Sequence, residues 1–296
     1  MEKIDLKGAI PALVTPFKED KSLDLERLRE LIRFQIKGGV DGIVFCGTTG
    51  EGATLTPKEY HQIIKVAKEE IGGKIPIIVG TGSNDTQKAI YLSQIAKEEG
   101  ADALLIVSPY YNKPTPQGLV LHYKEIAKAV NLPIILYNVP SRTGTNMVPE
   151  VVFRIINEVP QVIGIKEASG NINQMAQILK NAPKNFVLLS GDDALTLPAM
   201  ALGAKGCISV VANEVPEEFS KLCHLALEGN FKKAREIHFR LLSLMKVNFI
   251  ETNPIPVKTA LSMMGKTKEV FRLPLCPLQE KNREILENVL KELNLI

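Results

Sequence analysis

The sequence is poor in the residues from which disulfides and metal sites are built. Its 296 residues include four cysteines and four histidines, and no tryptophan. They are Cys46, Cys207, Cys223 and Cys276, and His61, His122, His224 and His238. The cysteines are dispersed without a CxxC pair, as is typical of a reducing cytoplasm rather than a disulfide framework. The histidines lack HExxH or other metal-ligand spacing, so we expect no metal site.

Long apolar runs and basic clusters are also missing. No uninterrupted apolar stretch is long enough to cross a bilayer. The first seven residues, 1–7, are charged and have no apolar core of the kind found in signal peptides. The net charge is only +3, and the lysines are scattered among acids. We therefore expect a soluble, cytoplasmic protein that binds neither membranes nor nucleic acids.

Short apolar runs alternate with amphipathic helical patterns along most of the chain. The runs that we predict to be strands are 9–14, 42–46, 75–79, 103–107, 134–137, 162–165, 186–189 and 207–210. They show no alternation of polar residues, which indicates parallel strands covered on both faces. Strand–helix units repeated in this way predict an α/β fold, a (β/α)8 TIM barrel.

A doubly wound open sheet is the alternative fold. It is weakened because the chain lacks a dinucleotide fingerprint: Gly80-Thr81-Gly82 has no third glycine, and GxxxxGK[ST] does not occur. We expect no cofactor. After about residue 225 the strand pattern stops, and helices are predicted at 231–247, 256–264 and 278–295. The predicted domains are a barrel with the active site, 1–225, and a C-terminal helical domain, 226–296.

Lys166 ends the sixth predicted strand, directly after an apolar run. A buried ammonium without a partner is costly, and desolvation favours the neutral amine. A neutral lysine amine can attack a carbonyl carbon and form a Schiff base. The alternative is a salt bridge between Lys166 and Glu167 or another carboxylate.

Polar and unusual residues follow the predicted strands. They fall at 15–17, 47–51, 80–84, 108–112, 138–144, 166, 190–193 and 209–213. The carboxyl ends of parallel barrel strands converge on one mouth, where barrel enzymes place their sites. We therefore expect these segments to surround one active site that includes Lys166.

Several of these segments are recognisable motifs. They are GTTGE at 47–51, SPYYNKPT at 108–115, YNVPSRTG at 137–144, GIKEASG at 164–170, SGDD at 190–193 and ETNPIPVK at 251–258. GTTGE alone would be a weak signal, but the ordered set is very specific. Over essentially the whole chain, it resembles the dihydrodipicolinate synthase family. More widely, it resembles the pyruvate-dependent class I aldolases that include N-acetylneuraminate lyase.

The resemblance implies a role for each site residue. The implied catalytic residues are Lys166, which forms the Schiff base with pyruvate, and a hydroxyl relay of Tyr137, Thr48 and Tyr111, the last supplied by a neighbouring subunit. The implied substrate-binding residues are Thr49 for the pyruvate carboxylate, Arg142 for aspartate β-semialdehyde, and Gly191 and Ile208 through backbone groups. Asp192 and Asp193 are interpreted as turn or helix-cap residues.

Taken singly, several of these residues have ordinary structural interpretations. Thr48 and Thr49 could bond to the backbone of their own turn. Tyr137 could be an aromatic cap on the barrel. Arg142, expected in a loop, could be a solvated surface arginine. The implied roles therefore rest on the ordered motifs and not on each residue alone.

The resemblance implies condensation of pyruvate with L-aspartate 4-semialdehyde to 4-hydroxy-tetrahydrodipicolinate, in diaminopimelate and lysine biosynthesis. It also implies a homotetramer, built as a dimer of dimers. One alternative is a related pyruvate aldolase acting on N-acetylneuraminate or a keto-deoxy sugar acid, against which Arg142 in SRTG and the pair Thr48-Thr49 argue. The other is an inactive relative that binds a small acid.

The family is often inhibited by lysine at the dimer interface. Asn84 and Tyr110 match the positions implied by the resemblance. Pro57 and Tyr60 stand where lysine-inhibited enzymes of the enteric type carry histidines, and Lys88 stands where they carry a glutamate. A cation at Lys88 would repel the ammonium groups of the inhibitor, so we expect weak or absent inhibition.

Overall fold

The chain folds into an eight-stranded parallel barrel. The computed structural model describes residues 4–296, so the first three residues of the charged N-terminal stretch lie outside it. The strands are β1 (Gly8–Pro11), β2 (Ile43–Phe45), β3 (Ile77–Gly80), β4 (Ala103–Val107), β5 (Ile134–Asn138), β6 (Val162–Glu167), β7 (Val187–Ser190) and β8 (Gly206–Ser209). From β2 to β8 each strand pairs with the next one along the chain, and β8 pairs with β1. A single parallel bridge between Ala12 and Val44 joins β1 to β2. The predicted TIM barrel is confirmed, and the doubly wound sheet is excluded because the strand order never reverses.

Helices connect the strands and follow the last one. They are α1 (Leu25–Lys37), α2 (Pro57–Ile71), α3 (Thr86–Glu98), α4 (Pro116–Val130), α5 (Pro140–Thr143), α6 (Pro149–Glu158), α7 (Ile172–Asn181), α8 (Thr196–Ala201), α9 (Pro216–Leu227), α10 (Phe231–Val247), α11 (Ile255–Met263) and α12 (Glu280–Glu292). The start of α2 shows how the sequence sets these bounds. The Thr56 hydroxyl accepts from the Glu59 N–H, and the Glu59 carboxylate accepts from the Thr56 N–H. Gly72, at φ 57°, ends the helix in the left-handed region.

Apolar side chains form two layers, one inside the barrel and one between the strands and the surrounding helices. Alternate strand residues such as Ile78, Leu105 and Ile135 pack together in the barrel interior. Their neighbours, such as Leu104 and Ile134, pack against the surrounding helices. Because both faces of each strand are covered by apolar groups, the strands read in the sequence as continuous apolar runs.

The C-terminal helices pack on one side of the barrel. Phe219 of α9 shares an apolar cluster with Leu241 of α10 and Leu286 of α12. The predicted boundary at 225/226 falls within the last turn of α9, and the division into two domains stays a prediction. In the part of the chain that the structure describes, no helix has the length and apolar character needed to span a membrane.

Candidate active site

A cavity of about 320 Å³ opens at the carboxyl ends of the strands. Thr48, Tyr137 and Arg142 all line it, although they are far apart in the sequence. Lys88 and Asn253 also line it. The structure therefore brings three of the predicted site residues to one mouth, as expected for a parallel barrel.

Lys166 lies in the barrel beside this cavity and is only 5% exposed. It pairs with Tyr137 across strands β6 and β5, and its Nζ is 4.4 Å from the centre of the Tyr137 ring. Within residues 4–296, no carboxylate lies within 4.0 Å of this amine, so the alternative of a salt bridge is not supported. The amine is thus enclosed, next to a phenol, and is not held by a neighbouring acid.

Glu167, the next residue, turns away from Lys166. Its buried carboxylate accepts hydrogen bonds from the Asn138 side chain (3.0 Å), the Gln174 side chain (3.0 Å) and the Ser169 N–H (2.7 Å). These amide donors satisfy a charge that would otherwise be costly to bury. The network occupies the Glu167 carboxylate and fixes the end of β6 on its outer side.

A β-bulge in β6 decides which of these two side chains faces inward. Val162 pairs with Ile134, but Gly164 pairs with Ile135, so Ile163 is an extra residue in the ladder. Side chains on a regular strand alternate between faces, and a bulge reverses that order. Val162 and Lys166 are four residues apart and would share a face of a regular strand. Because of the bulge, Val162 faces the helices and Lys166 faces the barrel interior. Glycine is needed at 164 because a Cβ there would lie 2.6 Å from the carbonyl oxygen of Val187.

Gly191, which directly follows β7, lies against the side chain of Lys166, and Ile208 lies on β8. A Cβ built on Gly191 would lie 3.0 Å from Cε and 3.1 Å from Cγ of Lys166. The absence of a side chain at Gly191 therefore leaves the space that Lys166 fills. Ile208 is fully buried in the barrel interior, paired with Ile10.

The turn after β2 holds Thr48 and Thr49. Thr49 is buried, and its hydroxyl oxygen accepts a hydrogen bond from the Asn253 side chain at 3.0 Å. Because that oxygen is an acceptor here, the hydroxyl proton remains available to a substrate oxygen. Thr48 is half-buried and faces the cavity. The Glu51 N–H closes the turn onto the Thr48 carbonyl at 3.1 Å.

Arg142 lies in the short helix α5, so the expectation of a loop is wrong. Pro140 takes the first helical position, and Gly144, at φ 69°, caps the end, which is enough to close one helical turn. The guanidinium is exposed and donates to the Asn253 carbonyl oxygen at 3.2 Å. This contact aims the side chain across the cavity mouth.

Tyr111 stands apart from the other predicted residues. Its side chain is 89% exposed, on a backbone with φ 74° in the loop after β4. A side chain so exposed cannot also lie in the enclosed site of its own chain. The predicted relay of Thr48, Tyr137 and Tyr111 is therefore not assembled within one subunit.

The two acidic residues after β7 have structural contacts. Asp192 accepts from the Ala194 N–H at 2.9 Å, and Asp193 accepts from the N–H groups of Val210 and Val211. Burial raises the pKa of Asp193, and the hydrogen bonds oppose that rise. Among the described residues, no cluster of His, Cys, Asp and Glu is suited to a metal ion.

The sequence analysis missed three residues that hold the site together. Asn253 contacts both Thr49 and Arg142, and Lys258 forms a buried ion pair with Glu51. The signal was present, since Glu51 ends GTTGE and the other two lie in ETNPIPVK. No role was assigned to them because their partners are 111, 204 and 207 residues away in the sequence.

An amine enclosed in a (β/α)8 barrel beside a phenol and a threonine turn is the arrangement of a Schiff-base-forming barrel enzyme. The chain belongs to the dihydrodipicolinate synthetase family, whose sequence model matches residues 5–293. The predicted family is thereby confirmed.

Individual relatives cover nearly the whole chain. The 4-hydroxy-tetrahydrodipicolinate synthase of Maridesulfovibrio salexigens is 51% identical, over 98% of this chain and 99% of its own length. The enzyme of the same name from Methanocaldococcus jannaschii is also 51% identical, with the same coverage. The crystal structure of dihydrodipicolinate synthase from Aquifex aeolicus has a TM-score of 0.95 at 49% identity, covering 98% of this chain and 99% of that one.

Proposed function

We propose that the chain condenses pyruvate with L-aspartate 4-semialdehyde to give 4-hydroxy-tetrahydrodipicolinate, in diaminopimelate and lysine biosynthesis. The observation that carries the proposal is the Lys166 amine, which is enclosed 4.4 Å from the Tyr137 ring centre while Glu167 is bonded elsewhere. Relatives with 51% identity over almost their full length carry the name of this activity.

Lys166 begins the reaction. Its amine adds to the ketone carbon of pyruvate, and the resulting carbinolamine takes up a proton and loses water to form an iminium ion. The iminium accepts the electron pair released when the methyl group loses a proton, which gives an enamine. The enamine carbon then forms a bond to the aldehyde carbon of the semialdehyde, whose C=O π electrons become an alkoxide that takes up a proton, and the iminium is restored. The amino group of the semialdehyde attacks that iminium carbon, which closes the ring and releases the Lys166 amine. Tyr137 is the group beside the amine that can exchange protons during imine formation and release.

Thr49 binds the carboxylate of pyruvate, and Thr48, on the same turn, belongs to the hydroxyl relay with Tyr137 and Tyr111. The Thr49 hydroxyl has its oxygen occupied by Asn253 and its proton free, while Thr48 faces the cavity. Hydroxyl and backbone donors on one turn suit a carboxylate. Gly191 and Ile208 complete the walls around the bound ketone.

Arg142 selects the second substrate. Its exposed guanidinium lies at the cavity mouth, and a guanidinium can hold a carboxylate through two parallel hydrogen bonds. The semialdehyde carries such a carboxylate at the end remote from its reacting aldehyde. Polyhydroxylated aldehydes, the partners in sugar-acid aldolases, offer no matching charge at that position.

A homotetramer, built as a dimer of dimers, would complete the site. Tyr111 projects from its own subunit, so its hydroxyl could complete the relay with Thr48 and Tyr137 of a neighbouring subunit. The proposed compartment is the cytoplasm, in keeping with four cysteines that all remain free thiols within residues 4–296.

The decisive experiment traps the Schiff base. Borohydride added with pyruvate should attach one reduced pyruvate to the peptide that contains Lys166, and Lys166→Arg should remove the adduct. Condensation rates are then measured with aspartate semialdehyde and with a polyhydroxylated aldehyde. No adduct on Lys166 contradicts the mechanism, while faster condensation with the polyhydroxylated aldehyde contradicts the substrate assignment.

The role of Tyr111 has its own test. Subunits with Lys166→Met and subunits with Tyr111→Phe should each be nearly inactive alone. Co-expressed in mixed oligomers, they should regain activity, because one site then combines an intact lysine with an intact tyrosine from its neighbour. A lack of recovery in oligomers shown by mass to be mixed rules out the shared site.

A further inference from the structure

Glu51 and Lys258 form an ion pair that is removed from water. The Lys258 Nζ lies 2.5 Å from the Glu51 Oε1, and their side chains are 0% and 1% exposed. The ammonium also lies 4.2 Å from the centre of the Phe17 ring and 5.3 Å from that of Phe271. Aromatic rings and one carboxylate thus replace its hydration shell.

Burying such a pair is costly. Burial lowers the pKa of Lys258 to about 8, although Glu51 acts in the opposite direction. Buried ion pairs often stabilise a protein no more than apolar side chains of the same size. Net stability is therefore a weak explanation for a buried ion pair at this place. Fixing the conformation of the neighbouring backbone is a stronger one.

The backbone at Glu51 also needs to be held. Glu51 ends the turn that carries Thr48 and Thr49, and it adopts φ 53° and ψ 32°, in the left-handed region. Residues other than glycine are strained there and persist in it only when their surroundings fix them. The carboxylate is fixed at both oxygens, by Lys258 and by the Arg272 N–H at 3.3 Å.

One short segment holds the turn at two points. Asn253 donates to the Thr49 hydroxyl oxygen at 3.0 Å, and Lys258, five residues later, binds Glu51. Both Asn253 and Glu51 line the cavity. The start of helix α11 therefore contacts the threonine turn directly, on both sides of Gly50.

We infer that Glu51 and Lys258 are positioning residues, which hold the Thr48–Thr49 turn in the conformation that binds the substrate carboxylate. The inference rests on the proposed function, because it assumes that this turn receives the carboxylate of pyruvate. The Glu51 carboxylate is bonded to Lys258 and to the Arg272 N–H, so the pair acts through the backbone of the turn and through Thr49.

The test separates positioning from stability. Three variants are compared: Glu51→Gln, Lys258→Met and the double variant. Borohydride trapping on Lys166 is followed as a function of pyruvate concentration, which gives a half-saturating concentration and a limiting rate. We expect half-saturation to rise about tenfold or more, the effect of losing one well-placed bond to a charged group. The limiting rate should stay near that of the wild type.

The double variant is the informative one. It leaves no unpaired buried charge, so its Tm should recover from the losses in the single variants. The half-saturating concentration of pyruvate should remain high. The preference for pyruvate over pyruvamide, which lacks the carboxylate charge, should become smaller. A double variant with wild-type half-saturation and wild-type preference would overturn the inference.

Two controls complete the design. Arg283→Met removes a different ion pair, with Glu269 at 2.6 Å, that has no contact with the threonine turn, and it should leave pyruvate saturation unchanged. The wild type tests the proposed function separately. If it forms no adduct on Lys166, the proposed function fails; if it forms one and the variants match it, only the positioning role fails.

Discussion

The side chain of Lys166 packs closely against the position that a methyl group on Gly191 would occupy. A Cβ at Gly191 would lie 3.0 Å from Cε and 3.1 Å from Cγ of the lysine, and 2.6 Å from Cβ of Ala168. Contacts this short force one of the groups to move. The absence of a side chain at Gly191 therefore lets the Lys166 side chain extend toward the cavity.

Gly191→Ala should reduce activity by displacing the amine. A shift of the order of 1 Å in a reacting group can cost about 100-fold in rate, so we expect a decrease of about 10- to 100-fold in the rate of imine formation. The measurement is single-turnover borohydride trapping on Lys166. Gly42→Ala is the control, because its Cβ would meet nothing closer than 3.4 Å. Equal rates in the two variants would contradict this role.

Tyr137→Phe should preserve the fold and slow the chemistry. The ring stays in place beside Lys166, but the proton-carrying hydroxyl is lost, and general acid–base groups contribute about 100- to 10,000-fold to rates. The measurement is kcat, with Tm determined in parallel. Tyr123→Phe is the matched control, since that buried phenol donates to the Ile106 carbonyl oxygen and lies outside the cavity lining. Tyr123→Phe should lower Tm and leave kcat close to that of the wild type.

Arg142→Lys should weaken use of the semialdehyde while leaving pyruvate binding intact. Lysine keeps the charge but loses the fork that binds a carboxylate at two points, so kcat/KM for the semialdehyde should fall about 10-fold or more. Trapping of pyruvate on Lys166 should be unchanged. Arg154→Lys, at an exposed arginine bonded to Glu158, serves as the control. Loss of pyruvate trapping in Arg142→Lys would place this arginine in the first half-reaction instead.

The pair of Glu59 and Arg272 should make stability depend on acid pH. The Arg272 guanidinium holds the pKa of Glu59 at about 2, below its usual value of 4.5. Because the folded pKa is the lower one, this stabilisation is fully present above pH 4.5 and is lost as the pH falls through 2. Glu59→Gln should lower the free energy of unfolding by about 1–2 kcal/mol at neutral pH, allowing for solvent screening.

Urea unfolding at neutral and at acid pH measures this effect. The difference between wild type and Glu59→Gln should narrow as the pH drops below 4.5. Glu287→Gln removes an exposed pair with Lys291 and should differ little from the wild type throughout. If the wild type exceeds Glu59→Gln in free energy of unfolding by the same amount at every pH, the charge of Glu59 is not the source of the difference.

Lysine should inhibit the enzyme weakly or not at all. Lys88 and Tyr110 both line the cavity. The resemblance puts Lys88 where lysine-inhibited relatives carry a glutamate, so we expect its ammonium group to repel an incoming lysine. Steady-state rates should therefore be insensitive to added lysine, and Lys88→Glu should increase the sensitivity. Inhibition of the wild type at sub-millimolar lysine would contradict this prediction.

The sequence predicted what depends on local pattern. All eight strands were located, and helix α10 was predicted with its observed bounds of 231–247. Four of the segments expected to converge, at 47–51, 80–84, 108–112 and 138–144, contribute residues to the cavity lining, because the carboxyl ends of parallel barrel strands meet at one mouth. Three of the eight predicted site residues line the cavity, and Lys166 lies beside it.

Long-range partnerships were not predictable. Glu51 and Lys258 are 207 residues apart, and nothing in either motif indicates that the two charges meet. The helical turn at Arg142 was missed because a single turn is too short to show periodicity. The extra residue in β6 was hidden as well, since a run that is apolar on both faces gives no sign of which side chains point inward.

That extra residue has a consequence for how the protein can vary. Apart from Gly164, the side chains between Val162 and Lys166 can be exchanged without changing the direction of Lys166, but the parity of the residue count between these two positions must be kept. If the ladder became regular without a compensating deletion, the carboxylate of Glu167 would turn into the barrel and the amine would turn toward the helices. The active site thus depends on the number of residues in one strand as much as on their identity.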